Sequence, residues 1–165
     1  MDKPRELLKP IKARWILLSV ALALIVELLP LGGSTRFLPD FAALMVMYWS
    51  INQPSRFGIV LAFLVGIACD FTSASVIGQH ALAYTFTTYL ITLRQRQVVM
   101  YNLGQQALVV LALLLLNQAI MWITRVALGS APVGLGYFTS PFVGALLWPL
   151  VTNILIIPQR RGRPG

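Results

Sequence analysis

Residues 58–82 read GIVLAFLVGIACDFTSASVIGQHAL. Gly58, Ala62 and Gly66 recur every four residues, and the next step of four lands on Asp70. On a helix these positions share one face. Small residues there let a second helix approach backbone to backbone, and the groove they form ends at a carboxylate. Ser73, Ser75, Gly78, Gln79 and His80 follow at once, the densest polar run between two apolar blocks. Two readings of the stretch stand side by side. It is a packing groove between helices of this chain followed by a loop, or a docking groove for a partner with a polar mouth.

The rest of the chain explains why such a groove matters. With 58% hydrophobic residues over 165 positions and a mean hydropathy of +0.77, the sequence carries too much apolar surface for one soluble domain. Long apolar blocks with short polar joints indicate a polytopic membrane protein. The length accommodates about six spans of ~20 residues and leaves no soluble domain to carry an enzyme. The net charge of +8 does not indicate nucleic acid, because the basic residues sit at the ends of apolar blocks rather than along one polar face. The single cysteine, Cys69, excludes a disulfide framework within the chain and a multi-cysteine metal site; it reads as small apolar filler.

Outward from the central stretch, the blocks run in order. Lys3, Arg5, Lys9, Lys12 and Arg14 precede an apolar run from Trp15 to Leu31 that carries Glu27. The run is long and lacks a small-x-small cleavage site, so it reads as an uncleaved first helix rather than a signal peptide. Pro30, Gly32, Gly33 and Ser34 form a turn. Pro39 and Asp40 open the second block, as suits a helix N-terminus, and Tyr48 and Trp49 near its end suit an interfacial belt. Gln53 to Arg56 is a tight joint to the third block, and further blocks follow on either side of Arg94–Arg96 and of the loop Gly129–Ser140. Pro149 predicts a kink in the last of them.

The expected fold is therefore all-α: a six-helix transmembrane bundle forming one domain over residues 1–165. Its spans are placed at 15–31, 38–53, 57–71, 76–93, 103–126 and 141–157. Blocks two and three are short, since ~14 residues reach ~21 Å against a hydrocarbon core of ~30 Å. They could be a re-entrant hairpin or spans extended through their polar flanks. Charge placement selects spans. Eleven Lys and Arg residues fall on one side (the N-terminal five, Arg56, Arg94, Arg96, Arg160, Arg161 and Arg163), against Arg36 and Arg125 on the other. By the positive-inside rule both termini are cytoplasmic, and the basic ends attract anionic lipid at ~1 kcal/mol per residue.

The residues available for chemistry are few. Glu27 lies about 12 residues, ~18 Å, beyond Trp15. An acid near the bilayer centre costs ~2.5–3.5 kcal/mol on insertion scales, so it must be protonated, paired or turned to a polar cavity. Asp40 and Asp70 end at similar height if blocks two and three are antiparallel. Asp70 can pair inside the chain with Arg36, Arg125 or His80, or accept hydrogen bonds from a partner helix. His80 is the only histidine, which excludes a His-based metal site of ordinary ligand count. No Gly-x-Ser-x-Gly elbow and no phosphate-binding loop lysine occurs. No catalytic residue, metal ligand or cofactor is expected. The partner- or ligand-binding candidates are Asp70, Asp40, Gly66, Gly78, Gln79, His80 and Glu27. Asn117, Gln118 and Asn153 read as interhelical hydrogen-bonders, and Ser19-x-x-x-Ala23 is a small-residue pair a partner module could use.

The ordered set Pro39-Asp40-Phe41, Tyr48-Trp49, Pro54-x-Arg56, Gly66-x-x-x-Asp70 and Gly78-x-x-Ala81-Leu82 resembles the rod shape-determining MreD family. Tyr89-Leu90, Gln105-Gln106-Ala107-Leu108 and Leu147-Trp148-Pro149 fit the same pattern, which covers nearly the whole chain. The resemblance implies a non-enzymatic, multi-pass component of the bacterial inner membrane that belongs to the cell-elongation machinery. It implies MreC as direct partner, and the MreB filament and the RodA–transpeptidase pair that builds lateral peptidoglycan as associates. The family also looks distantly like the substrate-binding S-components of vitamin transporters, an analogy of fold only. The alternative function is accordingly a small-molecule or lipid-binding transporter module.

Overall fold

A computed structural model describes residues 11–29, 38–73 and 76–160. The turn expected at Pro30–Ser34, Ser75, Arg36 and the terminal basic residues Lys3, Arg5, Lys9, Arg161 and Arg163 lie outside the described residues. The described residues form six α-helices and no strand: α1 (Ala13–Leu28), α2 (Phe41–Asn52), α3 (Ile59–Thr72), α4 (Gln79–Val98), α5 (Leu103–Ala127) and α6 (Ser140–Arg160). A 3-10 segment, Leu135–Thr139, leads into α6.

Local chemistry sets the boundaries. Asp40 caps α2, its Oδ1 accepting the Ala43 N–H at 2.7 Å, which is the work of an N-cap carboxylate. Helix α5 opens with a reciprocal capping box between Asn102 and Gln105. Gly78 precedes α4 with φ of +98°, in the left-handed region that L side chains avoid, so the sharp entry into α4 requires glycine.

Hydrogen bonds between helices give their directions. The N–H groups at the start of α4 reach Asp70 at the end of α3. Gln95 near the end of α4 donates to the Ile51 carbonyl at the end of α2. Gln106 early in α5 donates to the Val98 carbonyl at the end of α4, and Gln118 in the second half of α5 donates to Ser140 at the start of α6. Successive helices thus alternate in direction. Both described termini lie at one end of the bundle, where Ile11 and Gln159 share a cleft.

Helix α2 is the core. Every residue from Ala42 to Ile51 is buried, with α1, α3, α4 and α6 packed around it. Its 12 residues span only ~18 Å, but a helix enclosed by longer neighbours has no lipid thickness to match. Tyr48 and Trp49 correct the expected interfacial belt: both are enclosed, their rings edge to face with centroids 5.0 Å apart, and Trp148 of α6 lies 6.2 Å from Tyr48. Aromatic pairs of this geometry add to the stability of a core. By length and composition two stretches, Leu103–Ala127 and Leu135–Gln159, are long and apolar enough to cross a membrane, and α2 and α3 are shorter apolar helices.

Candidate functional site

The three acids of the described residues gather at one end of the bundle, where α1 and α3 finish and α2 and α4 begin. Asp70 is enclosed there. One carboxylate oxygen accepts the N–H groups of Gly78 at 2.8 Å and Ala81 at 3.4 Å. The other accepts the His80 N–H at 3.0 Å and lies 2.8 Å from His80 Nδ1. A helix leaves its first N–H groups without intrahelical partners and presents positive potential at that end. Asp70 supplies the missing acceptors from the preceding helix and so ties the end of α3 to the start of α4.

The second cluster adjoins the first. The Tyr84 hydroxyl lies 2.7 Å and 2.8 Å from the two Asp40 oxygens and donates to them. Glu27 accepts the Ala42 N–H at 3.0 Å and the Cys69 thiol at 3.5 Å, and the thiol lies 3.7 Å from the Tyr84 oxygen. The His80 and Tyr84 rings meet edge to face at 5.7 Å. Four helices are thereby joined by one polar network, which the exposed Glu27 enters through the Ala42 N–H and the Cys69 thiol. Cys69 is buried as expected, but it is a member of this network rather than apolar filler.

The groove of the 58–82 stretch is filled from within. A Cβ on Gly66 would fall on the backbone N and Cα of Ala81 and within 2.7 Å of the His80 carbonyl carbon. Helix α4 therefore occupies the small-residue face, and the packing reading holds over the docking one at Gly66 and at the enclosed Ala62. Gly58 stands apart: nothing lies within 4 Å of its Cβ position, so it is outside the groove. The Ser19–Ala23 pair is also internal, because Ser19 accepts the Trp49 indole N–H at 2.8 Å and Ala23 is buried.

Of the remaining candidates, Gln79 is buried, its amide nitrogen 3.5 Å from His80 Nδ1. Arg125 is placed against Tyr137. Gln118 does bridge helices, but Asn153 is exposed and the enclosed Asn117 amide has no hydrogen-bond partner among the described residues. Glu27, Asp40, His80, Gln118, Tyr137 and Ser140 line a half-open cleft of about 260 Å³. No group of three His, Cys, Asp or Glu side chains among the described residues is arranged to hold a metal ion.

Sequence reasoning missed Tyr84, which the fold makes the junction of the two clusters. Its signal was its position four residues after His80, on the same face of α4. It also missed a network at the other end. There Gln159 donates to the Tyr48 hydroxyl at 2.7 Å, Gln53 lies 3.5 Å from Gln159, and Trp148 donates to Gln106 at 3.3 Å.

Chemically, the carboxylate end is a set of satisfied helix-joining contacts. The hydroxyls of Thr72 and Ser73, just after Asp70 in the chain, donate to the Cys69 carbonyl at 3.0 Å and 2.6 Å. Comparison with known proteins agrees with a structural reading. The family described as rod shape-determining protein MreD matches residues 10–158. The rod shape-determining protein MreD of Haemophilus influenzae is 27% identical over 139 residues, covering 82% of this chain and 85% of that protein. No solved structure matches.

Proposed function

Because the chain belongs to the rod shape-determining MreD family, whose role is determination of rod shape, we propose that it is a non-enzymatic, six-span component of the bacterial inner membrane that binds MreC. Through MreC it joins the MreB filament to the RodA–transpeptidase pair that builds lateral peptidoglycan. The observation that carries this reading is the extent of the match, residues 10–158. It takes in all of α1 to α5 and nearly all of α6, so the shape-determining role belongs to the whole bundle. The alternating helices support both termini in the cytoplasm, since Lys12, Arg14, Arg56, Arg94 and Arg96 stand exposed at the end that holds the described termini. The transporter alternative has less support at the acid-lined cleft, which is small and half open, short of the ~300–1,000 Å³ typical of enclosed ligand sites.

The test is co-purification in mild detergent. Tagged full-length chain should retain MreC, with MreB and RodA in lower yield, and loss of the chain should give round cells. Reporter fusions after Asn52, Arg96 and Gly165 should read cytoplasmic, and those after Ser34, Ser75 and Ala131 periplasmic. Absence of MreC from the complex sinks the partner assignment, and a periplasmic reading after Asn52 replaces six spans with a re-entrant hairpin.

A further inference from the structure

A cleft of about 720 Å³ lies away from the carboxylate end. It opens sideways between α1 and α6 at the end that holds both described termini. Leu18 and Leu22 of α1 and Ile154 and Ile157 of α6 form its walls, and Trp49 of α2 lies at its back. Lys12 and Arg14 stand exposed at its mouth. Neither side chain makes an ion pair or hydrogen bond within the described residues, and no acid among the described residues lines the cleft.

Three features define what fits. First, the polar groups inside are already satisfied: the Trp49 N–H is given to Ser19, the Ser19 hydroxyl to the Ile16 carbonyl, and the Gln159 amide to Tyr48 and Leu155. The interior offers nothing to a polar solute and is suited to hydrocarbon. Second, the unmet electrostatic demand is confined to two cations at one end, which calls for an anionic headgroup. Third, the walls are bulky Leu and Ile rather than the small residues that let a helix backbone approach closely. A flexible acyl chain conforms to such walls where a partner helix does not.

We propose that the α1–α6 cleft is a binding site for one anionic phospholipid, its phosphate between Lys12 and Arg14 and an acyl chain along Leu18, Leu22 and Ile154 against Trp49.

Native mass spectrometry of the full-length protein, released from nanodiscs containing phosphatidylglycerol and phosphatidylcholine, tests this. The wild type should retain one phosphatidylglycerol in preference to phosphatidylcholine. At ~1 kcal/mol per cation, Lys12→Gln and Arg14→Gln should each weaken that retention about fivefold, and the double variant about thirtyfold. Leu22→Trp, at an exposed wall position, should lower retention of both lipids by filling the cleft. Arg94→Gln with Arg96→Gln, exposed at the same end but outside the cleft, should leave retention unchanged. Each variant is checked for monodispersity by size exclusion, and all five positions are exposed cations or an exposed leucine, so folding is preserved. Equal loss from the Arg94 and Arg96 changes would show diffuse charge attraction and overturn the site. So would retention of phosphatidylglycerol by the Lys12/Arg14 double variant, or capture of protein rather than lipid by a photo-cross-linker at position 22.

Discussion

At one end of the bundle Glu27, Asp40 and Asp70 accept hydrogen bonds that join or cap helices. At the other, the inward polar groups are the amides of Gln53, Gln95, Gln106 and Gln159, while Lys12, Arg14, Arg56, Arg94 and Arg96 stand outside. The polarity of the helices accounts for the difference. Helices α2 and α4 begin at the first end, where free N–H groups and a positive dipole favour acceptors that carry charge. They end at the second, where free carbonyls need donors, and Gln95 and Gln106 deliver amide protons to the Ile51 and Val98 carbonyls. A neutral amide does this at lower desolvation cost than a buried ammonium or guanidinium, so the cations are left for the surface.

This contrast ranks the effects of substitution. Asp70→Ala should be the most damaging change, by ~3–5 kcal/mol, because it strips an enclosed, hydrogen-bonded partner from His80 and orphans the N–H groups of α4. Reversible unfolding in mixed detergent would measure it, and Asp70→Asn should recover part of the loss. A cost for Asp70→Ala no greater than for a single glutamine would break the comparison. Gly66→Ala should follow at ~1–3 kcal/mol, since the added methyl meets α4 backbone that side-chain motion cannot relieve. If Gly66→Ala proves worse than Asp70→Ala in the same assay, close packing rather than hydrogen bonding holds the α3–α4 joint. Gln95→Ala should cost least, ~1 kcal/mol, the usual net value of a neutral hydrogen bond. A larger loss would show that the amide end is as tightly coupled as the acid end.

Much of the site was legible in residues 58–82. The four-residue spacing marked a close helix contact, and Asp70 and His80 were legible as a pair. The direction of the contact was not legible. The same small-residue face serves an internal neighbour or an external partner equally well, and only the path of α4 back across α3 assigns it to the chain itself. Tyr48 and Trp49 failed for a related reason: an aromatic pair near the end of an apolar block suits an interface until other helices are known to enclose it.

The sequence by itself determined the all-helical class, the order of the helices, the helix start at Asp40, and the family. These follow from local chemistry and from residue order along the chain. Tertiary structure alone decided that α2 is the core, that Tyr84 joins the two acid clusters, and that four glutamines are buried at the opposite end. In a chain this apolar, faces turned to lipid and faces turned to protein carry the same kinds of side chain. Hydrophobic periodicity therefore loses the contrast that reveals an interior in water-soluble proteins, and the inside becomes visible only when the polar groups find one another.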